Sequence, residues 1–327
     1  MNLASSRSGH LLAVLGLLFT TLIWGGSFVV MKATIQVGLG VGAMLTLRFA
    51  LAALAMGAFL LVFRVPFGRQ GLTDGLWVGV AAAVVYWLNA DGLRFTTATK
   101  SGFITGLYVL FTPLVGILFR ERIRAIHGLG AVVAVAGLFL LVHQPGEPFG
   151  GWNRGDSETL GCAVASGAHI ALIGRFSRRT NGAVLAFMQI LVVMAVSVIL
   201  TALLPASATA DGTQLGGFQG TLAILRMPGV WVSLVYQGVL ATSLAFFLMC
   251  TCQAYISATG AAIIYCLEAV FTALLAATGL VPGVKDVLSP LQVAGGALIL
   301  AAMFLVELGP RLLGASRSAE DGAGTAS

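Results

Sequence analysis

Charge is what this chain has least of. Asp, Glu, Lys and Arg make up 9% of its 327 residues, where soluble domains carry about 25%. That deficit excludes an ordinary globular surface. With 58% hydrophobic residues and a mean hydropathy of +0.98, the chain reads as an integral membrane protein. Cysteine is also sparse. Cys162, Cys250, Cys252 and Cys266 lie in or beside apolar runs, with no CxxC pair and no His/Cys cluster. No metal site is expected, and the thiols read as buried and reduced. A P-loop is missing, which argues against ATP-driven transport by this chain. No Ser/His pair stands out for nucleophilic catalysis. The formal charge of +6 would hint at nucleic acid in a soluble chain. Here its placement around the apolar runs matters instead, and neither a nucleic-acid partner nor a cofactor is expected.

What is present is apolar length. A spanning helix needs about 20 mostly apolar residues, and ten stretches qualify: 11–31, 41–63, 72–90, 98–119, 127–143, 158–175, 183–204, 229–250, 256–279 and 289–307. The first could mimic a signal peptide, but the run continues from Leu11 to Met31 with no A-x-A site after it, so it reads as a retained span. The 42 glycines suit close helix packing in lipid. The longest connection, 205–228, is rich in Gly, Thr and Ala, and the tail 308–327 reads as polar and disordered.

Lys and Arg set the orientation. With the N-terminus inside, eleven of the eighteen fall on inner connections and six outside, with Arg48 within a span. Both termini are therefore expected in the cytoplasm of a cell inner membrane. The chain also repeats itself. An offset of 160 lays "ATKSGFITGLYVLFTPL" (98–114) on "ATGAAIIYCLEAVFTAL" (258–274), an offset of 165 lays 130–141 on 295–306, and 143 lays the first span on the sixth. Five spans per half is an odd number, so the second half enters from the opposite side. The expected fold is an all-α polytopic protein of ten transmembrane helices in two inverted five-helix repeats. A short cytoplasmic segment (1–10) leads into the first repeat (11–143). An extracytoplasmic linker (144–157) joins it to the second (158–307).

"LLFTTLIWGGSFVVMKA" (17–33), "LTLRFALAALAM" (45–56), "GLRFTTATKSGFITGLYVLFTPLVGILF" (92–119) and "YCLEAVFTALLAA" (265–277) resemble the EamA-type transporters of the drug/metabolite transporter superfamily. The resemblance implies a central cavity alternately open to each side, and relatives that mostly export small metabolites such as amino acids. Two departures stand out. Ala269 follows Glu268 where the family often has Pro, so a straighter ninth helix is expected. Lys100 stands where relatives tend to be uncharged, which points to a different substrate preference.

Inverted-repeat transporters bind substrate near the midplane, so polar groups deep in spans are the candidates. Glu268 is the acid nearest mid-membrane, where a charge costs at least about 2.5–3.5 kcal/mol. It is read either as a cavity group or as a protonated structural carboxyl. Tyr265, three residues earlier, could donate to it. Arg48 near the end of its span reads as snorkelling to the interface, with an ion pair or anion site as the alternative. Trp24 and Ser27 flank Gly25 and Gly26. Tyr86 with Asn89 and Thr105 with Tyr108 share helix faces, and each pair is either cavity lining or interhelical glue. His169 is the one histidine well inside a span; a packed role and a proton relay both fit it. Gln189 and Gln237 need amide partners in lipid.

The function these features favour is a secondary transporter, an exporter of small polar metabolites by alternating access. Protons are a candidate coupling ion and a homodimer a candidate assembly. An intramembrane transferase is the alternative, disfavoured by short loops and by the lack of paired acids, so the chain is not expected to be an enzyme.

Overall fold

The computed structural model describes residues 7–36, 38–119, 125–142, 153–203, 225–226, 229–285 and 287–306. The expected linker before residue 153, most of the 205–228 connection, Glu307, and the tail lie outside the described residues, as does Glu121, the acid that follows the fourth span.

The described residues fold into α1 (Arg7–Gln36), α2 (Val41–Val62), α3 (Arg69–Gly92), α4 (Ala98–Leu118), α5 (Ala125–Val142), α6 (Arg154–Phe176), α7 (Gly182–Leu203), α8 (Val230–Cys252), α9 (Ala258–Thr278) and α10 (Pro290–Val306). Among the described residues no strand occurs. Eight of these helices are long and apolar enough to cross a membrane; α5 and α10 contribute the shorter apolar stretches Ala125–Leu140 and Pro290–Val306. Backbone polar groups have no water to turn to in a bilayer, so helices that bond internally are the form such segments must take.

Several ends differ from the sequence-based expectation. α6 begins at Arg154, not 158, because a capping box makes its polar first turn stable: the Asn153 side chain accepts from Asp156 N while the Asp156 carboxylate accepts from Asn153 N. α9 is not straight. It is interrupted at Cys266, whose N–H is shared between Ala262 O and Ile263 O while Ala269 N donates to Cys266 O. α4 breaks in the same way at Leu107, where Leu110 N donates to Leu107 O. Pro113 lies well beyond Leu107, and the same change occurs in α9 with no Pro at all. In α8 the stretch Tyr236–Leu244 widens into π geometry, a form associated with functional positions.

Packing recurs at fixed sequence offsets. α1 meets α9 through Gly25, where a Cβ would sit 2.6 Å from Phe271 Cβ and 2.9 Å from Thr272 N. α6 meets α4 through Gly167, where a Cβ would sit 2.6 Å from Phe111 Cβ and 2.9 Å from Thr112 N. Gly25 and Gly167 are 142 positions apart, and the two Phe-Thr pairs are 160 apart. The same 160 separates the N-caps of α4 and α9: Thr97 accepts from Lys100 N and Ser257 from Gly260 N. It also relates Thr112 donating to Tyr108 O and Thr272 donating to Glu268 O. α5 and α10 face each other through Gly130 against Val306 and Gly137 against Ile299.

Such contacts leave no room for a side chain. Gly25→Leu should push α1 from α9 and cost about 1–3 kcal/mol, the usual range for overpacking. Gly128→Leu, where a Cβ meets nothing within 4 Å, is the control. Thermal unfolding in detergent should show the loss for Gly25→Leu alone; equal melting of the two variants would contradict this packing.

Candidate functional site: a polar cavity between seven helices

α1, α2, α3, α4, α6, α8 and α9 enclose a cavity with about 80 Å³ open to water centres. One water needs about 10–15 Å³ on that measure, so several waters or a small ligand fit. The ten side chains singled out from the sequence all face this one space. α1 contributes Trp24 and Ser27, and α2 contributes Arg48. α3 brings Tyr86 and Asn89, and α4 brings Thr105 and Tyr108. His169 comes from α6, and Tyr265 and Glu268 from α9.

Sequence reasoning passed over the rest of the wall, including Phe28, Cys162, Ser166, Ile170, Phe246 and Met249. A signal for three of these six was present. The glycine contacts correct the first-span offset from 143 to 142; offsets of 142 and 160 pair Trp24 with Ser166, Ser27 with His169 and Phe28 with Ile170. They also pair Tyr86 with Phe246, Asn89 with Met249, Thr105 with Tyr265 and Tyr108 with Glu268. Arg48 has no polar counterpart: position 190 is Ile.

Arg48 does not snorkel. It is 1% exposed, turned inward because acceptors wait there. Its Nε donates to Thr242 Oγ1 at 2.7 Å, one terminal nitrogen to Gln237 Oε1 at 3.3 Å, and the other to Ala241 O at 3.3 Å. All three acceptors lie in the π segment of α8, and Trp24 Nε1 donates to the same Ala241 carbonyl. The guanidinium carbon lies 4.9 Å from the centre of the Tyr86 ring, inside cation–π range. Its remaining contact is weak, Met31 Sδ at 4.0 Å. No carboxylate pairs with it among the described residues.

Glu268 is likewise without a hydrogen bond or ion pair to its carboxylate among the described residues. Tyr265 does not donate to it. The Tyr265 ring lies tilted against Trp24 with ring centres 5.4 Å apart, and among the described residues its buried hydroxyl makes no hydrogen bond, nor does that of Tyr108. Buried hydroxyls almost always find a partner, so two orphans on one cavity wall mark a place where water or ligand belongs. Asn89 Nδ2 reaches Thr105 Oγ1 at 3.5 Å, bridging α3 and α4 at the wall. His169 Nε2 meets Gln189 Oε1 at 2.8 Å, and Gln189 donates onward to Cys250 Sγ. Gln189 and Gln237 thus anchor cavity residues from behind.

Lys100 is not part of this wall. It pairs at 2.7 Å with Asp156, which is fully buried and also accepts from Thr96 Oγ1 and Asn153 N. Beside it Asp91 takes Arg94 and Arg154, and Lys32 donates to Leu93 O and Thr96 O. These bonds seal one end of the bundle by charge. At the other end Asp74 accepts from Arg179 and Thr180; hydrogen bonding to that carboxylate pushes the Arg179 pKa upward.

A family profile described as EamA-like transporter family matches residues 11–143. An "Uncharacterized transporter" of Archaeoglobus fulgidus is 31% identical over 301 residues, covering 91% of this chain and 87% of that protein. The chain belongs to the EamA-like transporter family. That family lies within the drug/metabolite transporter superfamily, and its members span membranes many times. A solved crystal structure of 20% identity shares the fold, with a TM-score of 0.70 over 94% of this EamA-family chain and 99% of that one.

The sealed end yields a stability prediction. Asp156→Ala removes at once the buried carboxylate shared by Lys100, the Thr96 hydroxyl and the Asn153 cap N–H, and losing the buried side of such a pair costs up to about 3–5 kcal/mol. Lys100→Met leaves Asp156 with two of its donors and should cost clearly less. Denaturant unfolding of the purified variants checks the order; a reversed order would refute the arrangement.

Proposed function

We propose that this EamA-family transporter is a secondary carrier, an exporter of small polar metabolites that moves them through the cavity by alternating access. The observation that carries the reading is the cavity wall. Polar groups from six of the seven helices converge on one space, and most of the lining falls into pairs at two sequence offsets. That pairing supports two five-helix repeats, 11–143 and 158–307, each crossing the membrane five times and so inverted relative to each other. α5 and α10 are the shortest of the ten spans in this reading, and their mutual glycine contacts favour a place across the same pseudo-axis. Inversion makes the two faces of a protein structurally interchangeable, which is what alternate opening requires.

Both termini are proposed to face the cytoplasm of the inner membrane, from the positive bias of the inner connections. An intramembrane enzyme needs a nucleophile engaged by a base. Here Ser166 Oγ contacts Cys162 and His169 is held by Gln189, which favours transport over catalysis.

Glu268 is proposed to titrate within the cycle, ionised when water enters the cavity and neutral when it closes, because desolvation disfavours a bare carboxylate. The ionisable or charged groups sharing its space are Arg48, Tyr86, Tyr108, Cys162, His169 and Tyr265. Proton coupling follows from that change.

Two measurements test this. A reporter enzyme fused to the C-terminus should be active in its cytoplasmic form only; periplasmic activity would overturn the orientation. In proteoliposomes, counterflow of a metabolite pool should be carried by the wild type. Glu268→Gln should insert normally yet lose flux or its pH dependence. An unchanged flux and pH profile in Glu268→Gln leaves the carboxyl a structural group and refutes the proton role.

A further inference from the structure

α8 carries one residue more than its counterpart. "GVAAAVVYWL" (79–88) in α3 and "GVLATSLAFFL" (238–248) in α8 match at both ends, but not at one offset. Gly79-Val80 leads to Gly238-Val239 at 159, while Tyr86-Trp87-Leu88 leads to Phe246-Phe247-Leu248 at 160. Packing agrees with the shorter offset at the first end. Gly79 lies against α7, where a Cβ would sit 2.6 Å from Val192 Cβ. Gly238 lies against α2, where a Cβ would sit 2.8 Å from Arg48 O and from Leu51 Cβ. Val192 stands 142 positions beyond Ala50, within that same stretch of α2. At the second end Tyr86 and Phe246, and Asn89 and Met249, all line the cavity. An extra residue in an α-helix turns everything beyond it by about 100°. α3 is α-helical throughout, whereas α8 takes up the excess in the π stretch Tyr236–Leu244, where bonding five positions back accommodates the added residue.

That stretch has a tie that α3 lacks. Ala245 N–H, which in an α-helix would serve Ala241 O, donates instead to Leu240 O and Thr242 O. Arg48 takes up the released Ala241 O, together with the Thr242 hydroxyl and the Gln237 side chain, and Trp24 adds a bond to the same carbonyl. At the offset position of Arg48 stands Ile190 on α7, and α3 beside it has neither the extra residue nor the π turn. Arginine and insertion occur together in one half and are both absent from the other. We propose that Arg48 is a positioning residue of the cavity: it holds the excess residue of α8 in the π stretch, and so keeps Phe246 and Met249 on the wall in place of Phe247 and Leu248. Relaxed to an α-helix, with Gly238 still seated on α2, α8 would carry Leu248 to the place of Met249. The inference rests on the transport reading only for the purpose of the wall. Its test measures the helix and uses no substrate, so the two readings fail separately.

The test is a cycle of two changes in the purified full chain, read by thermal unfolding in detergent. Arg48→Ile installs the residue of the other half. Deletion of Leu240, which is 41% exposed, shortens the segment to the length it has in α3. The first change leaves the extra residue unheld. The second returns Ala241 O to its own helix and strands the guanidinium among apolar groups. Each alone should lower the melting temperature by about 5 °C or more. Together they should recover at least half of the larger loss. A guanidinium that merely anchored three helices would give losses that add, and a double variant melting at or below the worse single one overturns the proposal. Deleting Val80 from α3 in place of Leu240 should rescue nothing; equal rescue by it overturns the proposal too. The second readout is register. Leu248→Cys and Met249→Cys, treated with methyl methanethiosulfonate and read by peptide mass spectrometry, should label at 249 while Arg48 is present. Labelling should move to 248 with Arg48→Ile and return to 249, in native numbering, when Leu240 is also deleted. Labelling that stays at 249 with Arg48→Ile alone shows a π stretch that holds itself and refutes the role of Arg48. Should Arg48→Ile alone fail to fold, the Leu240 deletion with and without it still decides, because the proposal requires the double variant to be the more stable.

Discussion

A guanidinium carried into an apolar helix bundle must find its acceptors in the protein, because hydrocarbon offers none. That requirement at Arg48 organises the wall around it. An ordinary α-helix has its carbonyls committed to its own N–H groups. The π segment of α8 loosens that commitment, and Ala241 O serves Arg48 and Trp24 together. Thr242, pinned by its own bond to Gln237 O, turns its hydroxyl oxygen to Arg48 Nε. α1, α2 and α8 are thus tied at one level by a single cation, and the same tie presents the edge of that cation to the cavity.

The close approach that makes these bonds possible comes from residues with no side chain. Gly238 on α8 lies so near α2 that a Cβ would sit 2.8 Å from Arg48 O. Without that contact the two backbones could not bring Gln237 and Thr242 within reach of the guanidinium. Gly25 and Gly167 do the same for the paired contacts of α1 with α9 and α6 with α4. In lipid, where burying apolar surface between helices brings little gain, such dense packing with interhelical hydrogen bonds is what remains to hold helices together.

The sequence made depth legible and left direction hidden. A polar residue in the middle of an apolar run has to face protein, and that rule alone assembled Trp24, Ser27, Tyr86, Asn89, Thr105, Tyr108, His169, Tyr265 and Glu268 around one space. Arg48 was harder. Its distance from the end of its run fitted a side chain reaching the interface, and only the acceptors on α8, 189 to 194 residues away, turn it inward. Lys100 misled for the same reason: its partner Asp156 is 56 positions away. The breaks at Leu107 and Cys266 leave no local mark either. Pro113 lies beyond the first and no Pro attends the second. The apolar lining residues carry no individual signature, though the offset of 160 leads from Tyr86 and Asn89 to Phe246 and Met249.

Those offsets also separate what the two halves share from what they do not. Shared are the glycine contacts, the helix breaks and the capped starts of α4 and α9, all backbone features that shape the enclosure. Different are the side chains at paired wall positions: Trp24 against Ser166, Tyr86 against Phe246, Asn89 against Met249, Tyr108 against Glu268. A wall that repeated strictly would offer a ligand two equivalent poses. Side-chain divergence removes one of them while leaving the backbone machinery common to both halves. The ends of the bundle diverge in the same manner. Lys100 binds Asp156 at one end, whereas Gly260, its offset counterpart, has no side chain to pair. The opposite end is held instead by Arg179 and Thr180 on the buried Asp74. Both ends are thus tied by charge, but through residues that the offsets do not relate.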